Sequence, residues 1–218
     1  MKTSENDVPN GHEERSDRTV QGLCEAARTA FARVGYAAAS VRDIAGSAGV
    51  NPALVRYHFG SKEALYRRVL DDAMGQLRDR LIAALERPGT PRQRIHRVIA
   101  SYLDHLAANP DTPRLIQRAL LDHDPNIRQI VGTHHGPLVR ALEPFLEGVD
   151  AHRADLEEAV TSLFGALVAP FLYAPLLGQI FGRDVLTPEA IERRREHIAS
   201  LVDLTHAHIL SLRHSAAS

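Results

Sequence analysis

The sequence predicts an all-α protein, with a small N-terminal three-helix domain followed by a larger helical domain. Three observations carry this. Apolar residues recur at helical spacing along most of the chain, and no stretch alternates with a period of two. Pro and Gly punctuate that pattern at Pro88-Gly89, Asn109-Pro110 and Thr187-Pro188, where helices stop or start. Residues Ser40 to Lys62, SVRDIAGSAGVNPALVRYHFGSK, hold two short helical patterns joined by a glycine turn.

The polar residues 1–14 read as a disordered tail. From Arg18 to Tyr36, Leu23, Ala26, Ala27, Ala30, Phe31 and Val34 share one helical face, and Gly35 ends it. Val41, Ile44, Ala45 and Ala48 then form the i, i+3, i+4, i+7 stripe of a short helix. Gly49 suits a left-handed helix end, and Val50 a buried turn. Asn51 suits an N-cap, and Pro52 the first position of a second helix. Two short helices joined in this way make a helix-turn-helix, whose second helix commonly enters the DNA major groove. For this fragment alone, an ordinary αα-corner is the alternative. Ser61 is the N-cap expected for a long helix from Lys62 to Glu86.

Further along, Ile95, Val98, Ile99, Tyr102, Leu103 and Leu106 line one face of a helix over Pro91–Ala108. Thr112 is expected to cap a helix from Pro113 to about Leu121, and Asp124 one from Pro125 to about Gly148. Gly136-Pro137 is expected to interrupt the latter, because proline removes a helix hydrogen bond and clashes with the preceding turn. Arg153 to Phe181 reads as one long helix, nearly apolar from Val160 onward. Thr187-Pro188-Glu189 opens a final helix to about Arg213. The expected domains are 15–66 and 67–213, with a short tail at 214–218.

Composition narrows the function classes. With 44% hydrophobic and 24% charged residues in 218, the chain can bury a sizeable core. No apolar run reaches the ~18 residues of a membrane span, and residues 1–17 hold no apolar core of a secretory signal. Cys24 is the single cysteine, so no intrachain disulfide framework exists, and it reads as a small core residue. A cytoplasmic protein is expected. The net charge of −1 hides a basic segment: residues 15–68 carry +5, whereas 1–14 and 69–218 carry −3 each. A basic segment that coincides with the helix-turn-helix suits phosphate binding.

The order helix, Gly-Tyr, helix-turn-helix, YHFGSK, long helix closely resembles the N-terminal domain of TetR/AcrR family bacterial transcriptional regulators. The resemblance covers about residues 15–75 and is most specific in RDIAGSAGV, YHFGSKEAL and the spacing between them. It implies a helix-turn-helix DNA-binding domain followed by a larger C-terminal helical domain for ligand binding and dimerisation. On this pattern Ser40 caps the first short helix and touches a phosphate, and Arg42 faces the groove. Asn51, Pro52, Ala53 and Leu54 form the start of the second helix, with Val55 turned inward and Arg56 facing the groove. Tyr57 and His58 contact phosphates, Phe59 is core, and Lys62 reaches the DNA backbone. The chain departs from the family in its reading head, where Tyr is frequent at the position of Arg56 and small or polar residues at that of Leu54. Arginine can bond guanine O6 and N7 together, worth about 1–3 kcal/mol of discrimination. The alternatives are a surface salt bridge for Arg56 and core packing for Tyr57.

The same resemblance implies a homodimer that binds an operator in double-stranded DNA and responds to a small-molecule inducer. The segment SLFGALVAPFLYAPLLGQIFG is too apolar for a lone surface helix. Leu163, Gly165, Ala166, Ala169, Phe171 and Leu172, with Ile198, Leu201, Val202, Thr205 and Ile209 of the last helix, are the expected interface. Burial within one chain, or a membrane hairpin broken by Pro170 and Pro175, is the alternative. An inducer pocket is expected among residues 67–148, near Tyr102, His105, Leu106, Gln117, Leu120, Leu121, His134, His135 and Leu138, with Gly136-Pro137 as wall or hinge.

No cofactor and no metal site are expected. His134-His135 are adjacent and His206 and His208 are two apart, so neither pair has the helical i, i+4 spacing of joint ligands. No nucleophile elbow, P-loop, Rossmann glycine run or metalloprotease motif is present, and no enzymatic activity is expected. The rival classes are a helical interaction module, or an enzyme whose helix-turn-helix is not ligand-controlled.

Overall fold

The computed structural model describes residues 11–122, 127–146 and 153–216. Among these residues the chain forms ten α-helices and no strand. They are α1 (Gly11–Ala38), α2 (Val41–Ser47), α3 (Ala53–Phe59), α4 (Lys62–Glu86), α5 (Pro91–Ala108), α6 (Thr112–Leu121), α7 (Ile127–Leu146), α8 (Arg153–Leu172), α9 (Ala174–Phe181) and α10 (Pro188–Ala216). The chain divides into two compact units, residues 1–72 and 73–218. No single described helix is long and apolar enough to cross a membrane.

In the first unit the apolar stripes meet as their spacing dictates, except that Val34, expected on the buried face of the first helix, is 41% exposed next to the break at Gly35. Leu23, Ala27 and Phe31 of α1, Ile44 and Ala45 of α2, Val55 of α3 and Leu65, Tyr66, Val69 and Leu70 of α4 are buried. Phe31 meets the Tyr66 ring edge-on at 4.9 Å between centroids, a favoured aromatic geometry. Gly35 breaks α1 with φ 80 and ψ 169, as its place in the sequence predicts. Helix α1 begins at Gly11, earlier than the polar composition predicts. An i, i+4 pair, Arg18 to Glu14 at 3.3 Å, supports its first turns.

The core of the second unit joins α5, α8 and α10. Ile99, Leu103 and Leu106 pack with Leu167, Val168, Phe171, Ile191, Ile198 and Val202. A capping box starts α5: the Thr90 hydroxyl accepts from Gln93 N–H, and the Gln93 side chain accepts from Thr90 N–H. Ion pairs tie α5 to α10. Arg92 donates to Asp203, with Nε at 2.7 Å, and His96 lies 2.9 Å from the same carboxylate.

Three expectations about helix boundaries are corrected. Helix α7 continues through Gly136-Pro137, because one missing proline hydrogen bond kinks a helix without necessarily ending it. Pro170 likewise sits inside α8. The long helix expected over Arg153–Phe181 is two helices, bent by 82° at Tyr173, two residues before Pro175. Thr112 is a buried first residue of α6 rather than its cap. Asp124, Pro125 and Gly148 lie outside the described residues. Thr187 caps α10 as its sequence predicts, its hydroxyl accepting from Ala190 N–H at 3.2 Å.

Candidate nucleic-acid interface

Local hydrogen bonds fix both short helices of the first unit. Ser40 caps α2: its Oγ accepts from Asp43 N–H at 3.0 Å and donates to Asp43 Oδ2 at 2.6 Å. The end of α2 is a Schellman turn, with Gly49 at φ 68. Val50 N–H donates to the Ala45 carbonyl at 2.9 Å, and Gly49 N–H to that of Gly46 at 3.1 Å. The next helix starts at once, as Asn51 Oδ1 accepts from Ala53 N–H at 2.8 Å. Pro52 already has helical angles, φ −53 and ψ −29, which its ring favours.

Helix α3 is thereby set with Val55 buried inward and a polar face outward. Asn51, Pro52, Ala53, Arg56 and Tyr57 are exposed, while Leu54, His58 and Phe59 are half-buried. Phe59 is thus only partly the core residue it was expected to be. Tyr57 is 80% exposed, so its ring does not pack in the core. It lies 4.8 Å from the His58 ring, edge-on. Arg42 is exposed on α2, and among the described residues neither Arg42 nor Arg56 forms an ion pair. Both guanidiniums retain all their donors for another molecule.

Gly60, at φ 78, ends α3, and Ser61 caps α4 by accepting from Ala64 N–H at 3.0 Å. The Lys62 ammonium sits 4.4 Å from the centroid of the Tyr36 ring. Partial burial there lowers the Lys62 pKa. Sequence reasoning missed Tyr36 and Asp43 as supports. Their signals were Tyr36 directly after the helix-ending Gly35, and an acid three residues after the Ser40 cap.

The second unit places its candidate residues less coherently. Leu106 is core, and Tyr102 packs against that core, where burial pushes its hydroxyl pKa up to about 12. His105 is buried and Gln117 half-buried, whereas Leu120 and Leu121 are exposed. His134 is buried with Nδ1 2.9 Å from Arg78 Nη1. Gly75 leaves it room, since a Cβ at that position would meet His134 Cε1 at 3.3 Å. The side chains of His135 and Leu138 lie outside the described residues.

Of the expected interface, Phe171, Ile198 and Val202 lie in the chain's own core, which removes them from any surface. Leu163, Ala166 and Leu172 pack against that core. Gly165 is exposed, Ala169 and Leu201 are half-buried, and the side chains of Thr205 and Ile209 lie outside the described residues. The apolar residues that do reach solvent include Phe164, Leu176, Ile180 and Phe181.

Two family models match. "Bacterial regulatory proteins, tetR family" covers residues 23–69, and "Tetracyclin repressor-like, C-terminal domain" covers 91–202. The transcriptional repressor Rv3405c of Mycobacterium tuberculosis is 31% identical over 191 residues, 87% of this chain and 89% of that protein. The regulator BetI of Rhizobium meliloti is 38% identical over 79 residues, 36% of this chain and 39% of BetI. The solved structure of a TetR family transcription regulator from Marinobacter aquaeolei VT8 shares the fold. Its TM-score is 0.63 at 19% identity, over 87% of this chain and 97% of that one. The relatives named here are transcriptional regulators, not enzymes. With its helix-turn-helix, its matched C-terminal domain and a relative similar along nearly its whole length, this chain belongs to the TetR family of transcriptional regulators.

Proposed function

We propose that the protein is a cytoplasmic homodimeric repressor that binds a palindromic operator and is released by a small molecule bound in its C-terminal domain. The observation that carries this reading is the outward face of α3, where Arg56 and Tyr57 stand exposed on a helix pinned by Val55. Phosphate contacts from Ser40, Tyr57, His58 and Lys62 would set register, and Arg42, Leu54 and Arg56 would meet base edges. One such helix reads few bases. Two, held about 34–36 Å apart by a dimer, read both halves of a palindrome.

The exposed apolar residues Phe164, Leu176 and Ile180 supply a surface for that pairing. Residues of α5 to α7, including Tyr102, His105, Gln117 and His134, are the place proposed for the inducer. Such a ligand releases DNA only by favouring the state that does not bind it, since equal affinity for both states shifts nothing. Sedimentation of the protein with DNA from upstream of its own gene tests the reading. Complexes holding two chains per site, dissociated by the inducer, are expected. A monomer bound to a single half-site would overturn it.

A further inference from the structure

The run Arg193-Arg194-Arg195 uses its charges unequally. Arg195 is fully engaged: Nη2 donates to Asp104 at 2.5 Å, Nε to Glu192 at 2.9 Å and Nη1 to the Ala100 carbonyl at 3.3 Å. Arg193 lies near enough to Glu189 to help lower that carboxyl's pKa, after the Glu189 backbone N–H and Thr187. Arg194 has no such partner among the described residues. Its Nε–H is fully buried and meets no acceptor among the described residues. Burial, and then the like charge of Arg183, lower its pKa. A charged donor taken from water without an acceptor is costly, and a neighbouring guanidinium raises the cost.

Arg194 lines a cavity of about 230 Å³ together with Arg183, Arg193 and His197, and with Phe181 and Val185 as apolar wall. Gly182, left-handed at φ 64, turns the chain out of α9 into the 182–187 loop, and the buried Val185 pins that loop. Asp184, the only acid in the loop, accepts from Leu186 N–H at 2.8 Å, so that oxygen is already engaged. Positive charge and apolar wall therefore converge at one concave place.

We propose that this cavity, formed by α9, the 182–187 loop and α10, is a binding site for a small organic anion. Arg194 and Arg183 hold its carboxylate or phosphate, and Phe181 and Val185 contact its apolar part. Guanidinium forks suit both planar and tetrahedral oxyanions. The site is separate from the residues proposed for the inducer and requires no effect on DNA binding.

Calorimetric titration of the full-length protein tests it, with benzoate and inorganic phosphate as probes and benzamide as the neutral match of benzoate. Saturable benzoate binding is expected, with benzamide at least tenfold weaker. Arg194→Gln is expected to weaken benzoate about tenfold, the loss of roughly 1.4 kcal/mol. Arg128→Gln, at an exposed position on α7, should leave binding unchanged. If Arg194→Gln lost its helical circular dichroism, Arg183→Gln at the exposed loop position would read the same site, with a several-fold loss expected. Equal binding of benzoate and benzamide, wild-type affinity in folded variants, or no binding of either anion would overturn the proposal.

Discussion

The Lys62 ammonium stands over the Tyr36 ring, with Nζ 4.4 Å from its centroid. The ring is itself held by Phe31 and Tyr66, at 6.0 and 4.9 Å between centroids. A flexible lysine at the start of α4 is thereby confined, and a cation so placed gains about 0.5–1 kcal/mol from the ring at an exposed site. Two substitutions separate its roles. On the proposed reading Lys62→Gln removes a phosphate contact, so it should weaken binding to all DNA alike and reduce the slope of log affinity against log salt by about 1. Tyr36→Leu should weaken binding several-fold while leaving that slope intact. Fluorescence anisotropy over a salt series checks both, and a slope unchanged by Lys62→Gln would remove the lysine from the interface.

Gly49 turns α2 into α3 at φ 68, with open space where a Cβ would stand. The cost of Gly49→Ala is therefore backbone strain alone, about 1–2 kcal/mol. Urea denaturation should show this loss, with operator affinity falling as α3 shifts. An alanine variant as stable as wild type would mean that the turn can relax without the left-handed residue.

Asp203 joins α10 to Arg92 and His96 on α5. The hydrogen bond from Arg92, followed by that from His96, holds its carboxyl well below the usual carboxylate range. A depressed folded pKa contributes stability that is fully present above the unfolded value, about 3.9, and is lost as pH falls through the folded one. The Tm gap between wild type and Asp203→Asn should be steady near pH 6 and should close as pH falls below 4. A gap independent of pH would show that the charge contributes nothing.

Phe164 on α8 and Ile180 on α9 are 56% and 61% exposed. On the proposed reading both belong to the surface that pairs two copies of the chain. Phe164→Asp and Ile180→Asp should shift the protein to monomer in analytical ultracentrifugation while helical circular dichroism is kept. Sedimentation unchanged in both variants would move the dimer surface elsewhere.

What could be read from the residues alone follows the range of the interactions concerned. Ser40, Gly49, Asn51, Ser61 and Thr187 act on backbone groups within a few positions, and each does what its place in the sequence predicts. Val55 follows because helical periodicity decides which side of α3 faces the core. Phe171, Ile198 and Val202 were misplaced because periodicity marks a face as apolar without saying whether the same chain or a second copy covers it. The bend at Tyr173 was missed because the apolar pattern continues across it, and Pro175 was a weaker sign than the pattern. Pro137 had the opposite effect, since neighbouring turns carry α7 through it. The Arg194 cavity depends on where a loop folds back, which no spacing rule encodes.

The central claim is that α3 reads DNA through Arg56. The direct measurement is a competition experiment at fixed salt, with wild type and Arg56→Ala each titrated onto the selected operator and onto copies changed at single guanines. Loss of selectivity at one guanine per half-site is expected, worth about 1–3 kcal/mol for wild type and near zero for the variant. Equal loss of affinity on every sequence would make Arg56 a phosphate contact, and the reading head would then lie elsewhere on the helix.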